Sequence, residues 1–193
     1  DLKVENYIPI SFGFDTECKI YSELIGNIGQ DTLSTQKYYH FIRLMGRAAS
    51  NITLECALNT YPNYCLISEE IEKNKLTLSN ITKSIVNMIV ERSKDNKDYG
   101  IILLPEGLIE FIPEFNVLIN QINDILSTNI EPTEENITNE LSLENRILFN
   151  YLPSNIKQQL LLDRDPHGNI QVAKIETEKL LSQTIIYELE LLR

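Results

Sequence analysis

Tyr99-Gly-Ile-Ile-Leu-Leu-Pro-Glu-Gly107 is a short apolar run stopped by a turn signal. From Tyr99 to Leu104 apolar residues follow one another without alternating, as in a strand buried on both faces, and Pro105-Glu106-Gly107 ends it. Upstream, 77–92 reads as a long amphipathic helix with Thr77 or Ser79 as its cap. Tyr64-Cys65-Leu66-Ile67 reads as another buried strand, and 48–60 as a helix carrying Ile52, Leu54, Cys56 and Leu58. His40-Phe-Ile-Arg-Leu-Met45 is a further strand, ending abruptly at Gly46-Arg47. It follows a helix over 14–28, where Phe14, Cys18, Tyr21, Leu24, Ile25 and Ile28 recur at helical spacing. Strand–helix–strand–helix–strand at this spacing predicts an α/β fold with a parallel sheet.

After Pro113 the texture changes. Residues 114–127 read as helix, 128–139 are polar and acidic, and 143–162 hold two short helices separated at Pro153. Residues 175–192 form a strong helical pattern through Ile175, Leu180, Leu181, Ile185, Ile186, Leu189 and Leu192. The expected division is an α/β part over 1–110 and a mainly helical insertion over 111–193, without internal repeats. The sequence stops while still in helical pattern, as a piece of a longer protein would.

The 193 residues are 42% hydrophobic and 23% charged, ordinary globular values. A net charge of −11 argues against nucleic acid as a partner, because a phosphate backbone demands a basic face. It leaves room for a phosphorylated small molecule, provided a few cations gather in a cleft. The apolar runs are too short to cross a bilayer and no signal peptide opens the sequence, so a cytoplasmic, membrane-free protein is expected. Cys18, Cys56 and Cys65 show no CxxC pairing and read as small buried hydrophobes of a reducing compartment. With two histidines, they leave little basis for a zinc site. Asn51, Asn80 and Asn136 each open an Asn-Ile-Thr sequon, expected to be unused.

Ligands of parallel sheets bind beyond the carboxyl ends of the strands. Two strand ends here carry polar groups. At Met45-Gly46-Arg47 a Gly lets the backbone approach a ligand, a helix start favours anions, and Arg offers a fork for phosphate. At Pro105-Glu106-Gly107 a carboxylate can accept hydrogen bonds from sugar hydroxyls. An anion-reading Arg beside a hydroxyl-reading Glu suits a sugar phosphate, although each signal alone also describes an ordinary loop residue or turn.

The strings Phe12-Gly-Phe-Asp-Thr16, Lys37-Tyr-Tyr-His-Phe-Ile-Arg-Leu-Met-Gly-Arg47, Leu104-Pro-Glu-Gly-Leu-Ile109, Gln158-Gln-Leu-Leu-Leu-Asp-Arg-Asp-Pro-His-Gly168 and Ile175-Glu-Thr-Glu-Lys-Leu180 resemble the pyrophosphate-dependent phosphofructokinases. The likeness is to the long type, near the catalytic subunit of plants and protists, and spans essentially the whole chain. It implies that Met45, Gly46 and Arg47 contact fructose 6-phosphate and that Glu106 holds sugar hydroxyls. It implies that Lys37 and Tyr38 reach the substrate of a neighbouring subunit, in a homo-oligomer of at least dimer size or a hetero-oligomer with a regulatory subunit. Asp1-Leu2-Lys3 resembles the tail of the family's Thr-Ile-Asp-Gly-Asp loop, placing the proton-accepting Asp just upstream. The residues for pyrophosphate and for Mg²⁺ would lie further upstream, and another sugar-binding segment beyond Arg193.

The resemblance implies in-line phosphoryl transfer, resting on positioning and charge stabilisation, with this piece supplying the acceptor side only. An ATP-dependent relative, or a non-catalytic subunit that binds sugar phosphate, remains open on the residues present. Blander readings also apply. Tyr38 and Tyr39 can be a core pair at the strand entry, Arg43 a structural ion pair, and His40 a structural histidine. Asp163-Arg-Asp-Pro-His-Gly168 reads as a solvated turn, because Lys174 stands where a calcium loop needs its Glu.

Overall fold

A computed structural model describes residues 13–46, 50–127, 131–165 and 168–192. The expectations for Asp1–Lys3, Arg47, Ala48 and His167 fall outside them. At the centre stands β3 (Gly100–Pro105), with all six residues buried. It is flanked in parallel by β1 (Tyr39–Leu44) and β2 (Tyr64–Cys65), giving the order β1-β3-β2. Tyr39 pairs with Gly100 and Leu44 with Pro105, while Cys65 pairs with Leu103.

The reason β3 is apolar in succession lies in what covers it. Successive side chains of a strand point to opposite faces. Ile101 and Leu103 enter a cluster with Leu44, with Ile25 of α1 (Phe14–Thr35) and with Cys56 of α2 (Asn51–Thr60). Ile102 and Leu104 enter a larger cluster on the other face, with Ile81 and Ile85 of α4 (Leu78–Lys94) and with Leu181 and Ile185 of α9 (Thr177–Leu191). The result is a sheet between two helical layers, the arrangement that parallel strands require. At the entry to β3 the packing leaves no space for a side chain: a Cβ on Gly100 would lie 2.5 Å from Asn63 Oδ1. That same oxygen accepts the N–H of Ile101 at 2.9 Å.

Several elements differ from the sequence expectation in extent. α1 runs to Thr35, beyond the last apolar repeat at Ile28, because polar residues carry its final turns. Thr32 Oγ1 donates to Ile28 O at 2.7 Å, and the helix stops where Gln36 turns left-handed at φ 51°. β2 keeps only two residues, although Leu66 N–H still donates to Leu103 O at 2.9 Å. α3 (Ser68–Asn74) was not expected. It is seven residues long and only Ser68 and Ile71 are buried. α4 begins as expected, its Thr77 hydroxyl accepting Asn80 N–H at 3.3 Å.

The helical half comprises α5 (Pro113–Ser127), α6 (Glu134–Glu140), α7 (Leu143–Tyr151), α8 (Ser154–Leu162) and α9. α6 arises within the acidic stretch, anchored by the single buried residue Ile137. The larger apolar cluster passes without a break from Leu104 and Leu108 through Phe115, Phe149, Ile156 and Leu161 to Leu181. Arg43 of β1 ties the sheet to α9: its Nη1 donates to Ile175 O at 2.7 Å and its Nε lies 3.4 Å from Glu178 Oε2. The ion-pair reading of Arg43 therefore stands. No helix among the described residues is long and apolar enough to cross a membrane.

Candidate functional site

β1 and β3 end side by side. Beyond the last paired residues, Glu106 N–H donates to Leu44 O at 2.8 Å, so the ladder continues one step and delivers Met45-Gly46 and Glu106-Gly107 to one edge. Leu44 is buried, Met45 is exposed and Glu106 half-buried, a gradient from core to ligand-accessible edge. Gly46 takes φ 146°, a conformation that residues with a Cβ rarely adopt, which accounts for Gly at this exit. Arg47 follows directly in sequence and lies outside the described residues.

Two neighbours complete this edge. Tyr21 of α1 lies near enough for its phenol to feel the Met45 backbone and the Glu106 charge. Burial first, then the Glu17 and Glu106 carboxylates, push the phenol up, against a hydrogen bond with the Met45 backbone. Glu17 Oε1, on the same helix, is buried without a hydrogen-bond partner among the described residues. The other neighbour is the start of α2. Ser50, 2% exposed, donates its N–H to Glu69 Oε1 at 2.9 Å, and its hydroxyl accepts Ser68 N–H at 2.9 Å. Burial alone would raise the Glu69 carboxyl. The hydrogen bonds it accepts from the N–H groups of Ser50 and of Glu69 itself, and from the Ser50 hydroxyl, hold it below the usual range.

Glu69 thus binds the N–H of Ser50, the residue that precedes the first turn of α2.

Of the residues singled out from sequence, Met45, Gly46 and Glu106 come together. Lys37 and Tyr38 do not join them. They precede β1, at the opposite end of the strands, and seven steps of extended chain carry Tyr38 to Met45, about 23 Å. Tyr38 is 71% exposed and held left-handed at φ 68°, and Lys37 is exposed. Tyr39, by contrast, packs on the larger cluster, and its hydroxyl donates to Lys97 O at 3.0 Å. Tyr21, Glu17 and Glu69 were missed as edge residues. Tyr21 falls on the apolar stripe of α1, and nothing local marks the other two. In the turn at 163–168, Asp163 pairs with Lys174 at 3.2 Å.

A parallel sheet covered on both faces, with a Gly exit and a carboxylate emerging together at its carboxyl edge, defines an α/β domain. The phosphofructokinase family profile matches residues 6–144, and the chain belongs to that family. It is 55% identical over 190 residues to the pyrophosphate–fructose 6-phosphate 1-phosphotransferase subunit beta 2 of Arabidopsis thaliana, covering 98% of this chain and 33% of that protein. The beta subunit of Ricinus communis is 54% identical over 190 residues, with 98% and 34% covered. The pyrophosphate–fructose 6-phosphate 1-phosphotransferase of Entamoeba histolytica is 48% identical over 198 residues, with 98% and 36% covered. The chain thus spans about a third of the length of these relatives.

Proposed function

We propose that residues 1–193 are the acceptor-side part of a longer phosphotransferase that moves a phosphoryl group from pyrophosphate to O1 of fructose 6-phosphate, giving fructose 1,6-bisphosphate. The observation that carries this reading is the joint exit of Met45-Gly46 and Glu106, locked by the Glu106–Leu44 hydrogen bond, in a chain so similar to enzymes of that name. In this reading the Glu106 carboxylate accepts hydrogen bonds from sugar hydroxyls and fixes the ring. Gly46 lets the backbone approach the ligand, and Arg47 takes the 6-phosphate as a bidentate fork. Holding the acceptor in this way converts part of the entropy of encounter into rate.

Lys37 and Tyr38, at the far end of the strands, would serve a neighbouring subunit, in a homo-oligomer or beside a regulatory subunit. Their exposure and distance from Glu106 support that role. Magnesium is the metal this reaction would use, and among the described residues no three His, Cys, Asp or Glu gather into a group. It would be held by residues outside this chain, as would the proton-accepting Asp and the pyrophosphate. The helical half would serve packing and assembly.

The test is turnover by the complete polypeptide containing this segment, assayed with pyrophosphate and with ATP as donors. Turnover at least a hundredfold better with pyrophosphate supports the reading. Preference for ATP identifies an ATP-dependent relative, and sugar-phosphate binding with no turnover identifies a regulatory subunit.

A further inference from the structure

Ser50 stands immediately before α2, yet its hydroxyl makes no cap for that helix. A serine in this place ordinarily accepts the N–H two or three residues further on. Thr77, Thr133 and Ser142 do so before α4, α6 and α7. The Ser50 hydroxyl is directed elsewhere: it accepts the N–H of Ser68, the first residue of α3, at 2.9 Å. The N–H of Ser50 donates to Glu69 Oε1, also at 2.9 Å. Ser50 and Ser68 are each 2% exposed, so water does not replace either bond if its partner is lost. An N–H facing a carboxylate makes one of the stronger hydrogen bonds open to a backbone group.

The place of these bonds in the sheet gives them a longer reach. α3 follows β2, and β2 lies across β3 from β1. The connection from β1 to α2 is therefore tied on both sides of β3. At its beginning Leu44 O accepts the Glu106 N–H at 2.8 Å, and at its end Ser50 is held by Glu69 and Ser68. Five residues, 45–49, join the two ties, and they include Met45, Gly46 and Arg47. Gly46, at φ 146°, lets the backbone come close to a ligand but restrains it least. An exit through glycine binds a ligand at little entropic cost only when its far end is fixed by something else. Glu69 has the footing to do this, because Ile71, two residues on, is 2% exposed and packs in the larger cluster.

We propose that Glu69 is a positioning residue for the acceptor edge: by holding Ser50 it fixes the far end of the Met45–Gly46–Arg47 exit, so that Arg47 meets the phosphate of the acceptor in one place. The proposal rests on the reading of this edge as the site for fructose 6-phosphate.

Steady-state kinetics of the complete polypeptide test it. Misplacing a binding group by about 1 Å can cost on the order of a hundredfold. Glu69→Ala is expected to raise the Michaelis constant for fructose 6-phosphate at least about tenfold and to leave that for the phosphoryl donor within about twofold. Glu69→Gln keeps an oxygen for the Ser50 N–H and is expected to recover most of the loss, to within about threefold of wild type. The decisive arm is a double-mutant cycle. Once Arg47 is replaced by Ala, adding Glu69→Ala should change the fructose 6-phosphate constant by less than about twofold, since nothing remains to be positioned. Additive effects, or equal effects on both substrates, overturn the proposal and leave the acceptor-site reading intact. Arg47→Ala without effect on the fructose 6-phosphate constant removes that reading, and the proposal with it. Should Glu69→Ala not fold, Glu69→Asp keeps the charge, withdraws the oxygen by one methylene, and carries the same cycle with the same criteria.

Discussion

Glu106 N–H reaches Leu44 O at 2.8 Å, one step past the paired ends of β1 and β3. That bond fixes the Glu106 backbone independently of its side chain, so the carboxylate can be altered without disturbing the edge. On the proposed reading, Glu106→Gln in the complete polypeptide would keep the shape and lose charge-assisted hydrogen bonds to sugar hydroxyls, an effect of about 1.5–3 kcal/mol. The Michaelis constant for fructose 6-phosphate should rise about ten- to a hundredfold, with that for pyrophosphate and the melting temperature little changed. Equal effects on both substrates would remove Glu106 from the acceptor side.

Glu69 predicts a pH dependence. Its folded carboxyl is held below the usual range by the Ser50 hydrogen bonds. A depressed carboxyl contributes stability that is fully present above the unfolded carboxylate range and is lost as pH falls through the folded value. Glu69→Gln should therefore destabilise the chain near neutral pH, and the difference from wild type should shrink as pH falls below the ordinary glutamate range. Urea unfolding between pH 3 and 7 measures this. A difference that grows on acidification would contradict the assignment.

The cysteines predict slow chemistry. Burial raises the Cys18 and Cys65 thiols to about 11, and burial also pushes Cys56 up. From an ordinary value near 9, two units leave the thiolate about a hundredfold scarcer near neutral pH. Iodoacetamide at pH 7.5 should label the native chain at least about a hundredfold more slowly at Cys18 and Cys65 than the urea-unfolded chain. Rapid labelling of either in the folded state would show that burial does not govern it.

α9 separates two sets of apolar residues. Leu181 and Ile185 are 0% and 2% exposed, whereas Ile186 and Leu191 are 55% and 65% exposed. Placing Asp at both 181 and 185 buries two carboxylates without partners, and soluble yield of the chain should collapse. Asp at both 186 and 191 should leave the yield and the circular dichroism spectrum of the 193-residue chain near wild type. Similar losses from both pairs would mean that the buried face is not what holds α9.

Much of this architecture was legible because core positions carry their own pattern. β3 announced itself by successive apolar residues, and α4 by its stripe and its Thr77 cap. α3 and α6 escaped because each is seven residues long with a single buried aliphatic anchor, Ile71 or Ile137, too few to establish a period. The α9 stripe was drawn too widely, since Ile186 and Leu192 recur at helical spacing yet lie on the open side. The site was legible as two strand ends. Their adjacency was not, because the order β1-β3-β2 places the last strand between the first two, and no local pattern encodes that. Glu69 escaped for the same reason: its partner Ser50 lies 19 residues away, in a contact between the starts of α2 and α3.

The bond from Arg43 to Ile175 spans 132 residues, and this separation sets an order of events during synthesis. The ribosome releases the N-terminal half first, at about 5–20 residues per second. α1, α2 and the three strands can assemble as soon as β3 has emerged, but one layer over the sheet stays open until α9 arrives. For several seconds Ile102 and Leu104 lack part of their cover, so the nascent sheet is most exposed to chaperones and to misassembly in that interval. Arg43, already placed on its strand, is the latch that α9 then closes.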